Sequence, residues 1–114
     1  MKPRQRAVAT AALAVAFACA PALAADGGFI DVLAFAPSGS ALVVDYKSDP
    51  VGADADLEAH VEADYGAQRR IYALAALGAG APDVEVAHLF LARPGEPAVA
   101  IYDQADVPRL RADL

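Results

Sequence analysis

From residue 28 onward the chain alternates short apolar runs with polar punctuation. Phe29–Ala36 is apolar enough for a buried strand. "PSGS", residues 37–40, breaks that run with Pro and Gly and reads as a turn. Ala41–Tyr46 is a second strand, rich in Val. In the polar loop "SDPVGADAD" either Asp54 or Asp56 is placed to cap a helix. Leu57–Asp64 reads as a short helix, Tyr65-Gly66 as an interruption, and Ala67–Leu77 as a longer helix that "GAGAP" stops. Val84–Leu91 is apolar at both alternate sets of positions, as a strand covered on both faces should be. After the turn "RPGEP" come a final strand, Ala98–Tyr102, and a helix, Val107–Leu114. This order predicts one α/β (α+β) domain built on a mixed sheet.

Length and composition narrow the function. The chain has 114 residues, enough for one compact domain, and is 57% hydrophobic, which excludes disorder for its bulk. Cys19 stands alone, so neither an internal disulfide nor a cysteine-rich metal site exists. Lys2, Arg4 and Arg6 are the only charges before Asp26; from there on, 6 Lys and Arg face 15 acidic residues, a balance of −9. A broad basic patch for phosphate backbones is thereby excluded. Contact with nucleic acid must come through a local site, a metal, or a partner that supplies the positive surface. No G-x-x-x-x-G-K-[ST] loop occurs, so the chain carries no P-loop motor.

The first 26 residues allow two readings. A basic start, an alanine-rich run and the triplet Ala22-Leu23-Ala24 outline a secretory signal with an A-x-A cleavage site. The same run holds a short apolar segment, residues 14–20, that suits a strand of the sheet. Pro21 and the preponderance of Ala over Leu argue against a membrane span. The chain thus divides into an apolar leader or first strand, 1–26, and a folded domain, 27–114.

Three charges in the hairpin carry the chemistry. Side chains alternate along a strand, so Asp31 shares a face with Phe29, Leu33 and Phe35, and Asp45 and Lys47 share one with Val43. A carboxylate among apolar neighbours must be paired, hydrogen-bonded or bound to a metal. The hairpin brings Asp31 toward Asp45, and a divalent cation removes their repulsion. Oxygen donors alone favour a hard cation, Mg²⁺ or Mn²⁺. The plainer alternative is an ion pair of Lys47 with Asp31 or Asp45 at a strand end.

"GFIDVLAF…ALVVDYKSD" resembles the nuclease core of the PD-(D/E)XK superfamily in its RecB-like form. That form sits at the C-terminus of UvrD/RecB/AddA-type helicase–nucleases of bacterial recombination and repair. "DYGAQRRIYALAAL" matches the Q-x-x-x-Y motif at Gln68 and Tyr72, and "VEVAHLFLARPGEP" resembles the strand and turn that follow. The match runs from about Gly28 to the C-terminus. It implies a restriction-endonuclease-like core, N-terminally truncated, that performs metal-assisted phosphodiester hydrolysis on DNA. It implies that Asp31 and Asp45 ligate Mg²⁺ (or Mn²⁺), with the backbone carbonyl of Tyr46 as a further ligand. Lys47 would assist the attacking water or the charged transition state, and Gln68 and Tyr72 would line the site from one helix face. A helicase domain or subunit would be the partner, the location cytoplasmic, and residues 14–20 part of the sheet, with no membrane contact. The family's upstream helix with a His or Glu ligand has no counterpart before Asp26. Two other readings stand beside this one: an exported acidic domain that binds a partner without catalysis, and an inactive nuclease fold kept for docking.

The remaining polar residues read as background. His60 lies on an acidic helix and is expected to face solvent, whereas His88 is expected to be a hydrogen-bonded sheet residue. Arg69 and Arg70 flank Gln68 and either touch phosphate or form a solvated face. Asp54, Asp56, Glu58, Glu62 and Asp64 read as a solvated acidic loop and face.

Overall fold

The computed structural model describes residues 31–114. The expectations for the leader, for the strand at 14–20 and for Phe29 and Ile30 lie outside the described residues. Among the described residues, four strands and two α-helices follow one another: β1 (Val32–Phe35), β2 (Ala41–Lys47), α1 (Leu57–Gly78), β3 (Asp83–Phe90), β4 (Ala98–Asp103) and, after a 3-10 turn at Gln104–Asp106, α2 (Val107–Ala112). The sheet order is β1-β2-β3-β4. β1 runs antiparallel to β2, β3 parallel to β2, and β4 antiparallel to β3. The expected mixed α/β sheet is present, and α1 is the crossover that a parallel pair requires.

The hairpin turn forms as the "PSGS" signal predicts. Ala36 N–H donates to the Ser40 carbonyl at 2.9 Å, and Gly39 N–H donates to the Ala36 carbonyl at 2.8 Å. Gly39 has φ +90°, a conformation that L side chains rarely adopt. This turn sets the register that pairs Val32 with Val44 and Phe35 with Ala41.

One face of the sheet is covered by α1. Val43 of β2, Val84 and Val86 of β3, and Ala100 and Tyr102 of β4 pack with Tyr72, Ala73, Ala76 and Leu77 of α1 and Leu110 of α2. A second cluster joins Leu57 and Val61 at the start of α1 to Phe90 and Ala98. The interruption expected at Tyr65-Gly66 is absent, and α1 runs unbroken for 22 residues. A glycine inside a helix costs about 1 kcal/mol. The buried stripe Leu57, Val61, Arg69, Tyr72, Ala73, Ala76, Leu77 continues across it and offsets that cost. Gly66 also makes room: a Cβ there would meet the Glu62 carboxylate at 3.1 Å and the Arg70 guanidinium at 3.3 Å.

Of the two cap candidates, Asp56 is the one used; its carboxylate accepts from Ala59 N–H at 3.0 Å. Among the described residues no helix is long and apolar enough to cross a membrane.

Candidate active site

β2 ends its buried face with Asp45 and then Lys47, and β3 places His88 beside Asp45 in the parallel register. Asp45 is only 3% exposed. Its Oδ2 lies 3.2 Å from Lys47 Nζ and accepts from the Tyr72 hydroxyl at 3.3 Å. His88 Nε2 stands 4.0 Å from the same oxygen. Tyr72 reaches it from the face of α1 that packs on the sheet with Val43, so the helix and strand motifs meet in space.

Asp31 is placed differently from the expectation. It lies in a bend just before β1 and is exposed, so it pays no burial cost among Leu33 and Phe35. Its Oδ2 accepts the Tyr46 backbone N–H at 2.7 Å, across the end of the hairpin. In a strand the N–H and C=O of one residue point the same way, so the Tyr46 carbonyl faces the side on which Asp31 sits. The Tyr46 side chain itself is exposed.

Burial pushes the Asp45 carboxyl above its ordinary range; Lys47 pulls the other way, and the charge and hydrogen bond of Asp31 push it further up. Two neighbouring carboxylates, of which Asp45 is disfavoured as an anion by burial, beside a backbone carbonyl, fit a hard divalent cation by donor chemistry. Among the described residues no third His, Cys or carboxylate has a ligand atom close to both.

The sign of the Asp45 shift gives a first prediction. A carboxyl with a raised folded pKa favours folding when protonated. That contribution is complete below the unfolded value and is lost as pH rises through the folded one. At neutral pH the Asp45 charge therefore costs stability. Asp45→Asn, measured in chelator, should unfold later than wild type by on the order of 1 kcal/mol, read as a higher Tm.

Lys47 points into a cleft of about 570 Å³ lined by Asp64, Tyr65, Ala67, Gln68, Ile71 and Leu114. Its Nζ lies 4.0 Å from the centroid of the Tyr65 ring, a cation–π contact. Gln68 is thus on the cleft wall, not on Asp45, and its Oε1 is buried with no hydrogen-bond partner among the described residues. Burial and then Asp49 raise the Tyr65 hydroxyl to about 12.

His88 departs from its expectation. It is fully buried, yet among the described residues neither ring nitrogen has a hydrogen-bond partner. Its ring stacks on Tyr65 with centroids 5.9 Å apart. Burial first, then the charges of Arg69 and Lys47, push its pKa down to about 3. A His with a depressed folded pKa contributes stability that is complete above the unfolded value near 6.5 and is lost as pH falls toward the folded one. Acidifying metal-free protein from about 6.5 should therefore destabilise wild type more than His88→Leu, by up to about 1.4 kcal/mol per pH unit. Denaturant midpoints across that range read the difference.

Asp54, Asp56, Glu58, Glu62 and Asp64 are exposed, as expected, but Arg69 and Arg70 do not form a solvated face. Arg69 is 2% exposed and its guanidinium donates to Glu58 at 3.0 and 2.6 Å and to Glu62 at 3.1 Å. Arg70 donates to Glu62 at 2.9 Å. His60 is half-buried, not exposed, with Nε2 2.8 Å from Asp49 Oδ2 and 3.6 Å from Asp64 Oδ2. Asp49 carried no weight in the sequence. The available signal was its place two residues beyond Lys47, in a loop that returns to α1.

The four-stranded mixed sheet with its crossover helix is consistent with a restriction-endonuclease-like α/β fold. A family model of the PD-(D/E)XK nuclease superfamily matches residues 3–114, and the chain belongs to that superfamily. No curated protein and no solved structure matches it.

Proposed function

We propose that this chain is the Mg²⁺- or Mn²⁺-dependent DNA nuclease module of a UvrD/RecB-type helicase–nuclease, acting in recombination and repair. The observation that carries it is the meeting of Asp45, Lys47 and Tyr72, with Asp31 at the backbone of Tyr46, in a chain of this superfamily. Asp31, Asp45 and the Tyr46 carbonyl would hold the cation. When bound, the cation supplies Lewis-acid activation of the scissile phosphate and of water. Tyr72 fixes Asp45 by its hydroxyl, so the carboxylate keeps one orientation. Lys47 Nζ sits where it can hold a water or a phosphate oxygen, and the Tyr65 ring keeps it there. Gln68 lines the cleft beside Lys47, where its side chain would help to shape the path of the strand.

The excess of acid over base supports the helicase context. Such a surface repels DNA, and a partner that delivers the strand removes that barrier. This role belongs in the cytoplasm, where the DNA is. Labelled single-stranded and blunt duplex DNA, with Mg²⁺ or Mn²⁺ and with chelator, test the reading. Expected is cation-dependent release of nucleotides from the single strand, and from the duplex only with a helicase and ATP. Cleavage that persists in chelator, or none with either cation, would count against it.

A further inference from the structure

We propose that Asp49, His60 and Asp64 form a second divalent-cation site, apart from Asp31 and Asp45, that takes a cation of the zinc class. One ligand atom from each lies within 4.8 Å of the other two. Asp49 comes from the loop after β2, whereas His60 and Asp64 stand one turn apart on α1. An imidazole with two carboxylates is a donor set that favours Zn²⁺ over Mg²⁺, and three protein ligands leave a fourth position open.

Contacts unrelated to a cation hold Asp49 and His60 in place, and Asp64 follows one turn after His60 on the same helix. The His60 ring packs edge-on against Phe90, centroids 5.4 Å apart, and against Tyr65 at 6.0 Å. That packing aims Nε2 at the carboxylates. The Tyr65 hydroxyl donates to both oxygens of Asp49, at 2.8 and 2.7 Å. Arg93 clamps the loop by donating to the carbonyls of Gly52 at 3.0 Å and Ala55 at 2.7 Å. Asp56 caps the helix that carries His60. A site fixed this way pays little ordering cost on binding.

The charges point to a ligand as well. Among the described residues neither Asp49 nor Asp64 pairs with a Lys or Arg; His60 is the one basic group between them. Asp64 also lines the Lys47 cleft, so the site lies on its wall. The site stands without the nuclease reading, since it shares no ligand with Asp31 and Asp45.

Zinc titrated calorimetrically into the whole, chelator-stripped chain tests it, alongside the ring resonances of its two histidines. Expected is one tight Zn²⁺ that shifts the His60 ring and leaves His88 unchanged. His60→Ala and Asp64→Ala should weaken it by at least about tenfold, and Asp45→Asn should leave it intact. His60→Gln keeps a donor for Asp49 and guards against simple loss of folding. Equal binding by wild type and a folded His60→Gln, or no shift of the His60 ring at millimolar Zn²⁺, would overturn the site. Loss confined to Asp45→Asn would do so too, because the ion would then sit on the other carboxylates.

Discussion

Lys47→Met is expected to degrade DNA at least about 10²-fold more slowly than wild type at saturating cation, the usual loss when a transition-state charge partner is removed. Methionine keeps the stem that packs beside Tyr65 and removes only the ammonium. Wild-type Nζ stands 3.2 Å from Asp45 and 4.0 Å from the Tyr65 centroid, with the cleft ahead of it. The same ammonium holds the Asp45 carboxyl down against burial. Its loss should therefore move the acid limb of the rate profile to higher pH as well as lower the plateau. Steady-state kcat across pH, on one labelled single strand, separates the two effects. An unchanged plateau would remove Lys47 from the chemistry and leave it as an ion pair at a strand end.

The largest stability effect should come from Arg69. Its guanidinium is buried, while Glu58 and Glu62, which neutralise it, are 53% and 54% exposed. Burial alone would lower its pKa, and the glutamates together with Tyr102 more than offset that. Glu58→Met with Glu62→Met keeps the cover over the guanidinium and removes both countercharges. An unpaired buried charge should then cost about 3 kcal/mol or more. Arg69→Met fills the same space without charge and leaves two solvated glutamates. It should fall within about 1 kcal/mol of wild type, since an apolar replacement of a buried ion pair is often neutral. Urea midpoints for the two variants test this directly, and equal losses would mean that packing rather than charge explains the site.

Much of this fold is legible in the sequence. β2, β3 and β4 are legible because each is a short apolar run, rich in β-branched residues in β2, set between turn or loop signals. The "PSGS" turn is legible because Gly39 must adopt a positive φ. The break at Gly66 was misread for a physical reason. Local propensity penalises the glycine, but the apolar stripe on either side packs on one sheet, and packing decides. Arg69 was readable in principle, since Glu58 and Glu62 precede it by 11 and 7 residues on one helix face. What hides it is that burial depends on the sheet beneath.

The site divides in the same way. D-x-K at a strand end and Q-x-x-x-Y on a helix are patterns along the chain, and the structure brings Asp45, Lys47 and Tyr72 together. The place of Asp31 outside β1, where it binds a backbone N–H, depends on where the strand begins. The union of Asp49 with His60 depends on a loop path that no period encodes. The β2–β3 register buries His88 beside Asp45, and that long-range pairing is not written in the local sequence.

Asp45 is the residue on which the nuclease reading turns. The most direct measurement is cleavage of labelled single-stranded DNA by Asp45→Asn at saturating Mn²⁺, beside wild type prepared identically. The variant should be folded, with a Tm at or above that of wild type, and should show cleavage reduced by at least about 10²-fold. Cleavage at the wild-type rate by folded Asp45→Asn would contradict the assignment of this cluster as the nuclease centre.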